Sequence, residues 1–140
     1  MSTIVGTNIE VTNIKYDSDT TSMIISNAGQ VTIQGEGTAT TNLQQGLAKT
    51  WIQFNGQSTV TINDSFNYAS LVDEGTGIYR INFTSNMANT TFSIQAHDWS
   101  YGNGWSDTQT TGGHDTKRRN EANAYLDVAR IWCTVLGDLG

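Results

Sequence analysis

Between Trp99 and Asn120 the chain sets Trp99, Tyr101 and Trp105 among glycines and follows them with Asp107, His114, Asp115, Arg118 and Arg119. Flat aromatic faces stack on sugar rings, while carboxylate, imidazole and guanidinium groups bind hydroxyls or anions. Trp99, Tyr101, Trp105, His114, Arg118 and Arg119 are therefore the candidate residues for contact with a receptor or partner. The stretch is 22 residues long, and structureless loops beyond ~12–15 residues are uncommon unless they bind something or are mobile. It reads as a contact loop at the distal end of the molecule. The competing reading has Trp99 closing the core and the run Lys117, Arg118 and Arg119 pairing with acids of a neighbouring subunit.

Catalytic patterns are thin. The chain holds no Gly-x-Ser-x-Gly elbow and no glycine-rich phosphate loop, and Cys133 sits in an apolar strand where a thiol is inert. His97 and Asp98 are neighbours on a predicted strand and so point to opposite faces, which prevents a shared site. With two histidines and no His-x-His or His-Glu-x-x-His spacing, a metal is not expected. Asp17 and Asp19 fall in a turn, as do Asp73 and Glu74, where solvated acids are the default. Asp73 to Gly77 lacks the alternating oxygen ligands of a calcium loop and fits a hairpin turn. The expectation is a noncatalytic protein without metal or cofactor.

Those contact residues need a scaffold, and composition says what kind. Ser, Thr, Asn and Gln make up 53 of 140 residues, charged residues only 14%, and proline is absent. Thr with 12 Ile favours extended structure, which excludes a helix bundle. Val, Ile, Leu and Phe number 29, just above the level at which a highly charged chain is disordered, and a net charge of −6 is modest. A folded, all-β chain follows. The acidic balance, with a pI near 4.5, argues against nucleic-acid binding. One cysteine allows neither an intrachain disulfide nor a cysteine zinc cluster. Apolar runs fall far short of the roughly 20 residues that span a bilayer. The first residues show no basic and apolar leader, so synthesis in a cytoplasm and no membrane insertion are expected. The sequons at Asn63, Asn82 and Asn89 read as chance in a Thr-rich chain.

Short apolar bursts at Ile9 to Ile14, Met23 to Ile25 and Val31 to Ile33 predict three strands of a thin N-terminal meander. Residues 35–47 have no period and read as a connector. Beyond it, six strands are predicted at 48–54, 58–63, 65–73, 77–85, 91–98 and 125–136. Tyr79, Ile81 and Phe83 face one way and Arg80, Asn82 and Thr84 the other; Phe92, Ile94 and Ala96 also point inward. The last strand carries apolar groups on both faces, so it is either central or meets another subunit. The expected organisation is a β-meander at 1–47, serving as stalk or attachment segment, and an antiparallel, jelly-roll-like β-sandwich head at 48–140. A thin meander of this kind needs another layer or other copies of the chain.

Between Ala48 and Thr84 the order Ala-Lys-Thr-Trp-Ile-Gln-Phe-Asn-Gly, then Asp-Ser-Phe-Asn, then Asp-Glu-Gly-Thr-Gly, then Ile-Tyr-Arg-Ile-Asn-Phe-Thr resembles the C-terminal domain of bacteriophage tail-fibre and related virion structural proteins of marine phage type. The ending Ile131-Trp-Cys-Thr-Val-Leu-Gly-Asp is similar to that family's terminal strand. The resemblance covers residues 46–98 and, less closely, 128–138, and it breaks at 99–124. It implies a homotrimeric, noncatalytic virion protein made in the host cytoplasm: a tail-fibre or fibre-tip adhesin that contacts other virion proteins and a host surface glycan or protein. The alternatives are a capsid decoration or head-fibre protein, and then a carbohydrate-binding module.

Overall fold

The computed structural model describes residues 13–15, 21–26, 29–34, 40–100 and 104–140. The chain divides into two compact units, Met1–Gly46 and Leu47–Gly140.

In the first unit, β1 (Asn13–Lys15), β2 (Thr21–Ile25), β3 (Val31–Gln34) and β4 (Thr40–Asn42) form an antiparallel meander in that order. A tight turn joins β2 to β3: Ser26 N donates to Gln30 O at 2.9 Å, Gly29 N to Ser26 O at 2.9 Å, and Gln30 N to Ser26 Oγ at 3.1 Å. Gly29 has φ +75° there, a conformation that costs glycine no Cβ clash. Met23 lies opposite Ile33 and Ile25 opposite Val31, so these four share one face and Ile24 takes the other. The predicted connector is shorter than expected, because β4 and the single helical turn α1 (Leu43–Gly46) occupy its end. Asn42 Oδ1 accepts from Gln44 N at 2.9 Å and so caps that turn. Ile9, Val11, Asp17 and Asp19 lie outside the described residues.

The second unit is an antiparallel β-sandwich. Its strands are β5 (Ala48–Asn55), β6 (Thr61–Phe66), β7 (Tyr68–Gly75), β8 (Ile78–Phe83), β9 (Ser93–Asp98), β10 (Gly104–Thr110), β11 (Gly113–Arg118) and β12 (Ile131–Leu136). One sheet runs β10-β11-β8-β7 and the other β6-β5-β12-β9. The expected alternation holds on β8, where Tyr79, Ile81 and Phe83 are buried between Arg80 and Asn82 on the far face. They meet Ile52 and Phe54 of β5 and Ile131, Cys133 and Val135 of β12 in one core, with Ile94 and Ala96 packed against it. Phe54 and Tyr79 meet edge to face at 5.1 Å, as do Phe83 and Phe92 at 5.8 Å. β12 is central, paired with β5 on one side and β9 on the other, which accounts for its inner apolar row. Its outer row adds half-buried Trp132 and Leu136 beside exposed Trp51 and Phe66, which face each other across β5 and β6.

The Asp73 to Gly77 segment is the expected hairpin turn. Asp73 Oδ1 accepts from Gly75 N at 3.0 Å, and Gly75 and Gly77 hold φ of +129° and +65°. Behind it Asp127 ties the sandwich together: its Oδ1 accepts from Gly77 N at 2.6 Å and from the Tyr79 hydroxyl at 2.9 Å, which also reaches Gly56 O at 2.9 Å. Burial and the Asp127 carboxylate push the Tyr79 hydroxyl well above its ordinary pKa. Tyr79→Phe leaves this half-buried carboxylate and the Gly56 carbonyl short of a donor, and we expect a loss of about 1–3 kcal/mol of stability, read as a lower urea midpoint at unchanged slope.

Two expectations are corrected. Residues 99–124 are not a long loop, because β10 and β11 form a hairpin there that edges one sheet. Their inward residues Ser106, His114, Thr116 and Arg118 are polar, so the apolar alternation that marks a strand is missing. The last strand starts at Ile131 and not at Tyr125. Residues 120–124 make a turn instead, with Asn120 N donating to Ala124 O at 2.9 Å and Asn123 at φ +64°.

Candidate functional site

The outer face of β10 and β11 carries the charged and aromatic groups. Trp105 lies opposite Lys117 and Asp107 opposite Asp115, all four on the side away from the core. Lys117 Nζ reaches Asp107 Oδ2 at 2.7 Å, and Arg80 of β8 reaches Asp115 Oδ1 at 2.8 Å and Thr108 O at 3.1 Å. The hydrogen bond from Lys117 holds the Asp107 carboxyl below its usual range and raises the lysine.

At the end of this face Arg119 lies between two rings. Its guanidinium carbon is 4.7 Å from the Trp105 ring centre and 4.4 Å from that of Tyr125, and the rings are 6.2 Å apart. Arg119 Nη1 donates to Asn123 Oδ1 at 2.8 Å and Nη2 to the Tyr125 hydroxyl at 3.0 Å. The tight turn at 120–124 is what swings Tyr125 back, pairing it with Arg119 in a one-residue bridge. A planar, delocalised cation between aromatic faces is locked in orientation. The result is an amphipathic ledge suited to stacking on a ring or a planar amide.

The six predicted contact residues do not form one cluster. Trp105 and Arg119 come together. Trp99 is 63% exposed just after β9, with the Arg130 guanidinium 5.8 Å from its ring centre. Tyr101 lies outside the described residues. His114 and Arg118 are 0% and 1% exposed, so they cannot touch a receptor. The reason is alternation: His114, Thr116 and Arg118 are every second residue of β11, and that row faces the core. No periodic pattern marks Asn123 and Tyr125, which a turn and an isolated bridge put in place, or Arg130, whose carbonyl accepts from Trp99 N at 3.3 Å.

The inner row is structural. His114 Nδ1 lies 3.3 Å from Ser106 Oγ and 3.2 Å from Asp115 O, its ring 5.8 Å from that of Phe83, and Nε2 has no partner among the described residues. Burial pushes its pKa down to about 4. Arg118 Nη2 donates to His97 O at 3.1 Å, while Nε and Nη1 have no partner among the described residues. Gly104, opposite Arg118, leaves the space that the guanidinium fills; a Cβ there would overlap it. Burial raises the Cys133 thiol to about 11, so it stays protonated and unreactive at neutral pH. Among the described residues no three His, Cys, Asp or Glu side chains gather as a metal site would require.

Together these features define a class: an all-β protein of two units, one a thin meander and the other a sandwich with an aromatic and cationic ledge. Set against protein-family models, curated proteins and solved structures, the chain matches none of them.

Proposed function

We propose that the chain is a noncatalytic structural protein of a bacteriophage virion, a trimeric tail-fibre or fibre-tip adhesin whose N-terminal meander self-associates and whose sandwich meets the host surface. The observation that carries this reading is the state of the meander. None of the meander residues whose side chains are described is fully buried, and Ile24, Ile33 and Leu43 are 39%, 36% and 36% exposed. Four strands of three to five residues whose described apolar side chains are at best half-buried are marginal in water, and copies of the chain supply the missing layer. The resemblance at 46–98 and, less closely, 128–138 supplies the virion context. Burial of Cys133 and of His114, one of the two histidines, and the lack of a gathered His, Cys, Asp or Glu cluster among the described residues favour a noncatalytic role.

Light scattering behind size exclusion tests the assembly. The expected mass is three times the 15.3 kDa chain, and Ile24→Lys with Ile33→Lys lowers it to one; a wild-type monomer at micromolar concentration overturns the proposal. For the ledge, Trp105→Ala with Arg119→Ala in assembled particles is expected to reduce host adsorption about tenfold or more, since Trp and Arg dominate interface energetics. Unchanged adsorption removes the ledge from the contact surface. Antibody labelling of particles under the electron microscope separates the tail tip from the capsid lattice, the place that a decoration protein would occupy.

A further inference from the structure

The sandwich carries a second surface feature, away from the β10 and β11 hairpin. On the sheet β6-β5-β12-β9, a cleft of about 640 Å³ is lined by Gln53, Asn55, Gln57, Thr61, Asn63 and Arg130. Pairing of β5 with β6 builds it. Asn55 stands opposite Thr61 and Gln53 opposite Asp64, and the register slips between Gln53 and Phe54, which leaves Asn63 as an extra residue on β6. A bulge of this kind re-aims a side chain out of the ladder.

The groups in this cleft divide into two sets. Asn55 and Gln57 are held: Gln57 N donates to Asn55 Oδ1 at 3.0 Å, Asn55 Nδ2 to Gln57 O at 3.3 Å, and Gln57 Nε2 to Asp127 O at 3.4 Å. By contrast, the Gln53 and Asn63 amides, the Thr61 hydroxyl and the Arg130 guanidinium make no side-chain hydrogen bond or ion pair with the described residues. Arg130 instead lies near the ring of Trp99, whose 63% exposure is the largest of any bulky apolar side chain among the described residues.

We infer that this cleft is a binding site for a neutral saccharide. Each amide offers a donor and an acceptor together, as vicinal hydroxyls require, and the guanidinium donates two parallel hydrogen bonds. Trp99, outside the lining but with the Arg130 guanidinium 5.8 Å from its ring centre, supplies an exposed flat face for the C–H side of a pyranose ring. The charge balance selects a neutral ligand: Arg130 is the cleft's one charged lining residue, Asp64 stands beside Gln53, and the chain carries a net charge of −6, which repels a polyanion. The inference does not rest on the virion reading, since one sandwich carries the whole cleft.

Nuclear magnetic resonance of the full chain, with its amide side chains labelled, tests this. The probes are maltohexaose, cellohexaose and chitohexaose at up to about 10 mM, with polygalacturonate as the acidic comparison. At least one neutral hexasaccharide is expected to shift the side-chain amide signals of Gln53 and Asn63 while those of Asn120 and Asn123 stay in place. Gln53→Ala, Asn63→Ala and Trp99→Ala are each expected to weaken binding about tenfold at a nearly unchanged thermal midpoint, because Asn63 and Trp99 are exposed and half-buried Gln53 lies on the face away from the core. Silence of Gln53 and Asn63 with every neutral probe overturns the inference. So does tighter binding of polygalacturonate, or shifts that follow Trp105→Ala instead of Trp99→Ala. The readout does not depend on chain mass, so a monomeric protein that binds removes the trimer and keeps the cleft.

Discussion

Acidification from pH 7 to pH 4.5 is expected to remove about 2 kcal/mol of folding stability from the sandwich through His114 alone. In the unfolded chain this imidazole takes up its proton near 6.5, whereas in the fold burial holds it neutral down to about 4. Between those values the unfolded state binds more protons than the native one, so stability falls as pH falls. The loss starts as pH drops through 6.5 and levels off below about 4. The geometry explains why the proton is refused. Burial is the main cause, since Nε2 has no partner among the described residues and Phe83 packs against the ring; the bond to the Asp115 carbonyl opposes it, and the positive charge of Arg80 adds to it. Urea unfolding of the wild type and of His114→Gln at both pH values checks this. The carboxylates titrate alike in both proteins, so the steeper acid loss of the wild type isolates the histidine. Equal losses would mean that His114 gains a partner or solvent in the fold.

Gly113→Ala is expected to cost about 3 kcal/mol or more, enough to unfold a marginal domain. Gly113 opens β11 opposite Asn82 of β8, and a Cβ on it would overlap the Ile81 carbonyl oxygen and come within 3.1 Å of Asn82 Cα. These are backbone atoms held in a central ladder and cannot turn aside as a side-chain tip does. Relief requires β11 to part from β8, which uncovers His114 and Thr116 and strands their inner row. Gly112→Ala is the matched control, since its added Cβ meets only Asn86 Oδ1, at 3.5 Å. Circular dichroism through a urea titration should show the control near wild type and Gly113→Ala shifted by more than 1 M, at the usual urea slope of ~1–3 kcal/mol per molar. Coincident curves would show that the β11 and β8 pairing is looser than its contacts imply.

What the amino-acid pattern made legible was whatever obeys a local period. The β8 row Tyr79, Ile81 and Phe83, the inward Ile94 and Ala96, the turn at Asp73 to Gly77 and the opposed faces of His97 and Asp98 all follow from a two-residue repeat or from glycine at positive φ. The β10 and β11 hairpin was illegible for the same reason. Its inner row is Ser106, His114, Thr116 and Arg118, polar side chains that no periodicity scan assigns to a core. They are tolerated because Gly104 leaves room for the guanidinium and Phe83 and Cys133 close over the remainder.

The all-β class, the antiparallel sandwich and most of its inward residues were thus determined by the sequence itself, since side-chain alternation along a strand is a local property. Which aromatic meets which cation was decided only by the tertiary structure. Trp105, Arg119 and Tyr125 lie up to twenty positions apart and converge because a hairpin and a one-residue bridge bring them together. Gln53, Asn63 and Arg130 converge because β6 pairs with β5 while β12, which follows Arg130, pairs with its other edge. Contacts of that range are set by which strands become neighbours, and that choice depends on the burial of the whole core.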